Sequence, residues 1–172
     1  MLEKGYVQVY TGNGKGKTTA MLGLTLRAAG AGLNVYIGQF LKGIEYSEVR
    51  AIKTYLPNVE IEQYGENSAI GRVTPNDAQD SEIGVEKAMQ AMLSGKYSII
   101  ALDEINMAVM LGLVSIDSVL ELIQKKPRNV ELVLTGRYAH PEIIAAADLV
   151  SEMRDVKHYY NAGVAAREGI EL

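Results

Sequence analysis

Apolar residues recur along this chain with two alternating periods. Residues 5–10 hold Tyr6, Val7, Val9 and Tyr10 in a run that reads as a strand. Residues 17–29 follow with Ala20, Met21, Leu22, Leu24 and Leu26 and read as a helix, with Gly30 as its expected stop. The succession then repeats. Residues 34–40 (NVYIGQF) predict a second strand, 47–56 a helix ending before Pro57, and 59–64 (VEIEQY) a third strand with one wet face. Turn residues fill 65–73. Thr74, Pro75 and Asp77 supply a cap, a first-turn proline and a charge suited to the helix dipole, predicting a helix to about Ser94 with a stop at Gly95.

The second half continues the pattern. Residues 97–102 (YSIIAL) are almost wholly apolar and end in Asp103-Glu104, as a central parallel strand would. A short helix to Gly112, a helix over 115–125, a strand over 130–134, a small helix over 141–147 and a sixth strand over 149–153 complete the expected elements. The tail 155–172 is polar and broken by Gly163 and Gly169.

Strands alternating with helices imply an α/β fold, and the glycine-rich stretch with Lys-Thr at residues 11–19 makes it the P-loop NTPase-like kind. One domain over 1–172 is expected, with a mostly parallel sheet of about six strands covered by helices on both faces. Such sheets bind ligands beyond the carboxyl ends of their strands. Those ends carry residues 11–18, Gln39 and Lys42, Asp103 and Glu104, and Thr135 and Arg137. The topology should gather them on one edge.

The first strand runs directly into Thr11-Gly12-Asn13-Gly14-Lys15-Gly16-Lys17-Thr18-Thr19. Strand, glycine-rich turn and Lys-Thr at a helix start form the arrangement of a phosphate-binding loop. Its glycines let consecutive backbone N–H groups turn onto a phosphate chain, and the helix adds its positive N-terminal end. Gly12, Asn13, Gly14, Lys15, Gly16, Lys17, Thr18 and Thr19 are therefore candidate nucleotide ligands. Lys17 suits a β- or γ-phosphate oxygen and the Thr18 hydroxyl suits Mg²⁺. Thr11 stands where the general pattern has its first glycine. An ordinary glycine-rich turn is the plainer alternative.

Composition narrows the partners. The 172 residues are 48% hydrophobic and 22% charged, with a net charge of −4, which gives no sign of a general nucleic-acid or membrane-surface binder. With no cysteine there is no disulfide framework, thiolate metal site or cysteine nucleophile. The N-terminus lacks a signal-peptide pattern, and no apolar run approaches the roughly 18 residues of a membrane span, so the cytoplasm is the expected location.

Asp103-Glu104 at the end of an apolar strand could supply anionic oxygen opposite Thr18, with Mg²⁺ between protein and phosphates. Arg137 could grip a polyphosphate bidentately or form a surface salt bridge. Arg27 lies nearly three turns beyond Lys17 and reads as a structural or rim residue. His140 is placed to cap the helix that begins at Pro141, and His158 lies in the tail. No residue stands out as a base for activating water.

Taken together, these segments resemble the ATP:corrinoid adenosyltransferases. The resemblance rests on TGNGKGKTT (residues 11–19), Arg27-Ala28-Ala29-Gly30, QFLKG (39–43), LDEIN (102–106), LTGR (134–137) with His140, and SEMR (151–154). Val156-Lys157-His158, Ala162-Gly163, Ala166 and Gly169-Ile170-Glu171 extend it to the end of the chain. It implies transfer of the 5′-deoxyadenosyl group of ATP to the Co(I) of a reduced corrinoid, with triphosphate as leaving group. It further implies Lys17, Thr18 and Glu104 as catalytic residues, and Mg²⁺ (or Mn²⁺) on Thr18 and Glu104 with Asp103 supporting. A flavoprotein-like reductant and a homodimer also follow from the resemblance alone. Family members often carry an N-terminal extension over the corrinoid site; here Met1 stands ten residues before Thr11. Many also carry aromatic residues in the loop matching 65–73, where this chain has none; Tyr64 or Tyr46 could substitute, or serve as core packing. A P-loop hydrolase or kinase and a non-catalytic ATP- or corrinoid-binding module are the rival readings.

Overall fold

A computed structural model describes residues 2–65 and 74–172, so the expected loop beyond Gly65 lies outside the described residues. The elements are β1 (Val7–Thr11), α1 (Lys17–Gly30), β2 (Val35–Phe40), α2 (Ser47–Tyr55), β3 (Val59–Tyr64), α3 (Pro75–Leu93) and β4 (Ile99–Asp103). They continue with α4 (Ile105–Met110), α5 (Ile116–Lys125), β5 (Glu131–Thr135), α6 (Pro141–Ala146) and β6 (Leu149–Glu152). A short 3₁₀ turn, Tyr159–Ala162, lies in the tail.

The six strands form one sheet in the order β3-β2-β4-β5-β1-β6, with every pairing parallel. Period-two alternation divides the core between its two faces. Met21, Ala28, Val35, Ile37, Ile52, Ile99, Ala101 and Val133 pack together under α1 and α2. Phe40, Met92, Ile100, Leu102, Ile105, Leu122, Leu132, Leu134 and Ile143 fill the opposite face under α3 to α6. Every residue of β2, β4 and β5 is buried, as strands covered on both faces require.

Local signals explain most boundaries. Thr74 and Asp77 form a reciprocal capping box: the Asp77 N–H donates to the Thr74 hydroxyl at 3.2 Å, and the Thr74 N–H donates to the Asp77 carboxylate at 2.7 Å. His140 caps α6, its Nδ1 accepting the Glu142 N–H at 3.3 Å. The stop of α1 needs a correction, because Gly30 is still helical. The chain turns at Gly32 (φ 73°), where Leu33 N–H returns to the Ala28 carbonyl at 3.0 Å. A left-handed residue is required for that closure, and it comes two positions later than the apolar pattern suggests.

Candidate functional site

The carboxyl ends of the strands open into a cleft of about 1030 Å³. The loop after β1 forms its floor. Gly12 (φ 95°) and Gly14 lie against the segment that leaves β6: a Cβ at Gly12 would meet the Met153 carbonyl oxygen at 2.4 Å, and one at Gly14 the Arg154 carbonyl carbon at 2.7 Å. Gly14 N–H donates to Met153 O at 2.7 Å, and Met153 N–H to Thr11 O at 2.8 Å. Thr11 closes β1 paired with Glu152, and its hydroxyl accepts the Ala139 N–H at 3.3 Å. The SEMR stretch therefore fixes the loop from below.

Lys17 is buried and folds back over the loop, donating to the carbonyls of Gly12 and Gly14, each at 2.8 Å. Burial holds its pKa below the ordinary lysine value; Glu104 and Asp103 oppose this and Arg137 adds to it. The loop thus encloses a cation at the N-terminus of α1, whose first turn has no acidic residue. Gly14, Lys15, Gly16, Lys17, Thr18 and Thr19 line the cleft, whereas Asn13 is exposed at the tip of the loop and outside it.

Asp103, at the end of β4, is fully buried and collects donors from four side chains. The Thr18 hydroxyl reaches it at 2.9 Å, the Thr135 hydroxyl at 2.7 Å, the Lys42 ammonium at 2.8 Å and the Gln39 amide at 3.3 Å. Burial works against the Lys42 charge, but Asp103 and Glu48 outweigh it and leave its pKa raised. Glu104 occupies the left-handed region (φ 61°) and lines the cleft. Burial, then the charge of Asp103, push its carboxyl above the usual range. Arg137 is exposed on the cleft wall with no ion-pair partner among the described residues. Arg27 is exposed in the last turn of α1 and does not line the cleft.

Above this polar floor the cleft is apolar and open. Leu22, Leu41, Ile44, Met107, Leu111 and Ile170 face it, and Ile44 is 46% and Ile170 57% exposed. The tail is therefore more than a polar ending: His158 and residues 169–172 form part of the wall.

A family model described as ATP:corrinoid adenosyltransferase BtuR/CobO/CobP matches residues 3–172. The chain belongs to that family. Curated relatives agree. A corrinoid adenosyltransferase of Pseudomonas aeruginosa is 35% identical over 173 residues, covering 99% of this chain and 85% of the relative. Corrinoid adenosyltransferase CobA of Salmonella typhimurium is 33% identical over 177 residues, covering 98% and 86%. A corrinoid adenosyltransferase of Escherichia coli K12 is 32% identical with the same coverage.

Within this family member, the two tyrosines separate. Tyr64 is core: its ring packs on Phe40 at 5.5 Å between centroids, and its hydroxyl meets that of Tyr36 at 2.5 Å. Tyr46 lines the cleft, with the Lys42 ammonium 5.5 Å from its ring centroid. Gln39, Lys42 and Thr135, which the sequence places at strand ends and within QFLKG and LTGR but without a role, all bind Asp103. No helix among the described residues is long and apolar enough to cross a membrane.

Proposed function

We propose that this chain transfers the 5′-deoxyadenosyl group of ATP to the Co(I) of a reduced corrinoid, releasing triphosphate, in adenosylcobalamin biosynthesis or salvage. One observation carries the reading: a buried-lysine phosphate loop and a broad, exposed apolar wall share a single cleft. A hydrolase needs only the loop and a positioned water, whereas the wall suits a second, largely apolar substrate face. The cobalt electron pair forms the bond to C5′, and the C5′–O5′ bond breaks with its electron pair leaving on triphosphate. Co(I) needs no general base, in keeping with the sequence.

Lys17 is the cation matched to the charge that grows on the leaving group, exchanging its two carbonyl partners for phosphate oxygens. The amides of residues 15–18, on the part of the loop that lines the cleft, cradle the same oxygens, whereas the Gly14 N–H is held by the Met153 carbonyl. Thr18 and Glu104 line the cleft and offer a hydroxyl and a carboxylate, oxygen donors that fit a hard divalent cation completed by phosphates and water, while Asp103, predicted beside them, is buried beneath and holds the Thr18 hydroxyl. Among the described residues no cluster of three His, Cys, Asp or Glu could hold a metal without such help. Mg²⁺ (or Mn²⁺) there would neutralise charge on the triphosphate. Arg137 stands ready for the outer phosphates. The family resemblance further supports a homodimer, a flavoprotein-like reductant, a cytoplasmic setting and one domain over 1–172.

The test mixes protein, MgATP and a chemically reduced corrinoid. Light-sensitive adenosylcorrinoid with equimolar triphosphate is expected. Orthophosphate as the only product, formed equally without corrinoid, would overturn the proposal in favour of a P-loop hydrolase.

A further inference from the structure

Between Gly14 and Gly16, Lys15 looks by position like a phosphate ligand, yet its ammonium is already engaged. It donates to Glu171 Oε1 at 2.6 Å, to the Tyr159 hydroxyl at 2.8 Å and to the Ile170 carbonyl at 3.2 Å. Three partners match the three hydrogens an ammonium has to give. Lys17, by contrast, has only two loop carbonyls to leave.

Glu171 is the centre of a small knot. The Arg167 N–H reaches its carboxylate at 2.9 Å and the guanidinium at 3.2 Å, and the Tyr159 hydroxyl also donates to it. The Arg167, Lys15 and Tyr159 bonds, in that order, hold its carboxyl well below the usual range. Ile170, Glu171 and Leu172 N–H groups all turn back onto the Arg167 carbonyl, and Gly169 takes the left-handed conformation (φ 74°) that this winding needs. A second tie, Arg50 to Glu168 at 3.0 Å, reaches α2. The knot is thus fastened to the phosphate loop and to α2. Fixed there, it presents Ile170 and Leu172, both exposed, to the cleft.

We infer that Lys15 is a positioning residue that latches the C-terminal knot onto the phosphate loop, and that the knot is a wall of the substrate cleft. This rests on the reading of the cleft as the ATP and corrinoid site. Lys15 acts through Glu171 and places Ile170 and Leu172 against bound substrate, while Lys17 alone supplies the side-chain cation of the loop. Isolated exposed pairs contribute little, but here four donors converge on one carboxylate.

The test is a double-mutant cycle of Lys15→Met and Glu171→Gln in the full chain, with Tyr159→Phe as a milder third variant. MgATP binding is measured by calorimetry, and trypsin cleavage after Lys157 and Arg167 is timed without substrate. Each single variant should weaken MgATP about three- to tenfold and speed tail cleavage by a similar factor, with kcat changed less than KM. The double variant should be no worse than the more affected single one. Weakened binding in Lys15→Met with Glu171→Gln at wild-type affinity and cleavage rate would overturn the latch and make Lys15 a phosphate ligand. MgATP binding and tail cleavage need no corrinoid chemistry, unlike kcat and KM, so failure of the latch and failure of the adenosyl-transfer reading are told apart.

Discussion

Thr135 donates its hydroxyl to Asp103 Oδ1 over 2.7 Å, and its own Oγ1 accepts the Glu104 N–H at 3.1 Å. One side chain from β5 thus holds a buried carboxylate and pins the left-handed turn that aims Glu104 at the cleft. Close approach to α4 helps: a Cβ on Gly136 (φ 130°) would meet Met107 N at 2.9 Å.

Replacing that hydroxyl while keeping the shape tests its role. Thr135→Val leaves a donor missing at fully buried Asp103 and should cost about 1–3 kcal/mol. A chain of this size should then melt roughly 2–12 °C lower. Adenosyl transfer should fall with it, and Thr135→Ser should restore both. Melting of nucleotide-free protein and initial rates check this; a Val variant that melts and turns over like wild type would contradict it.

Lys17, Thr18 and Glu104 carry the second prediction. On the proposed reading Lys17→Ala removes the cation set against charge developing on triphosphate, and should cost about 2.7–4 kcal/mol, or roughly a hundred- to a thousandfold in kcat/KM for ATP. On the proposed reading Thr18→Ala and Glu104→Ala weaken the same divalent cation and should be strongly non-additive when combined. Rates across a MgATP titration decide the matter. A Lys17→Ala variant with near wild-type rate and affinity would move the site away from the loop.

A third prediction concerns acid stability at the edge of the sheet. Burial disfavours the Glu62 carboxylate, but Lys87 at 2.8 Å and the Tyr64 and Tyr36 hydroxyls outweigh it and lower its pKa. A depressed carboxyl binds its proton less readily in the folded state. Its stabilisation is therefore present above the unfolded value of about 4.3 and lost as pH falls through the folded one. Glu62→Gln should melt lower than wild type near pH 7 and converge with it in acid. Parallel melting curves from pH 7 down to acid, with no convergence, would refute this.

Read alone, the residues locate the phosphate loop, the acidic strand end, six strands and the helices between them, because those features are written in local periods and local chemistry. A glycine-rich turn before Lys-Thr, or four apolar residues before Asp-Glu, needs no distant partner to be legible. His140 as a cap and Thr74 with Asp77 as a box were legible for the same reason. The family was legible too, since its motifs run in order along nearly the whole chain.

What only the tertiary structure decided is who meets whom at the strand ends. The order β3-β2-β4-β5-β1-β6 inserts β5 between the loop strand and the acidic strand, and that insertion delivers Thr135 to Asp103. It also brings Lys42 to a carboxylate 61 residues away, and Glu171 to Lys15 across 156. Tyr64 goes to the core and Tyr46 to the cleft by packing against Phe40 or by its absence, although both are tyrosines beside polar neighbours. Strand order and the path of the tail are set by burying both sheet faces at once, a global condition that no local period contains.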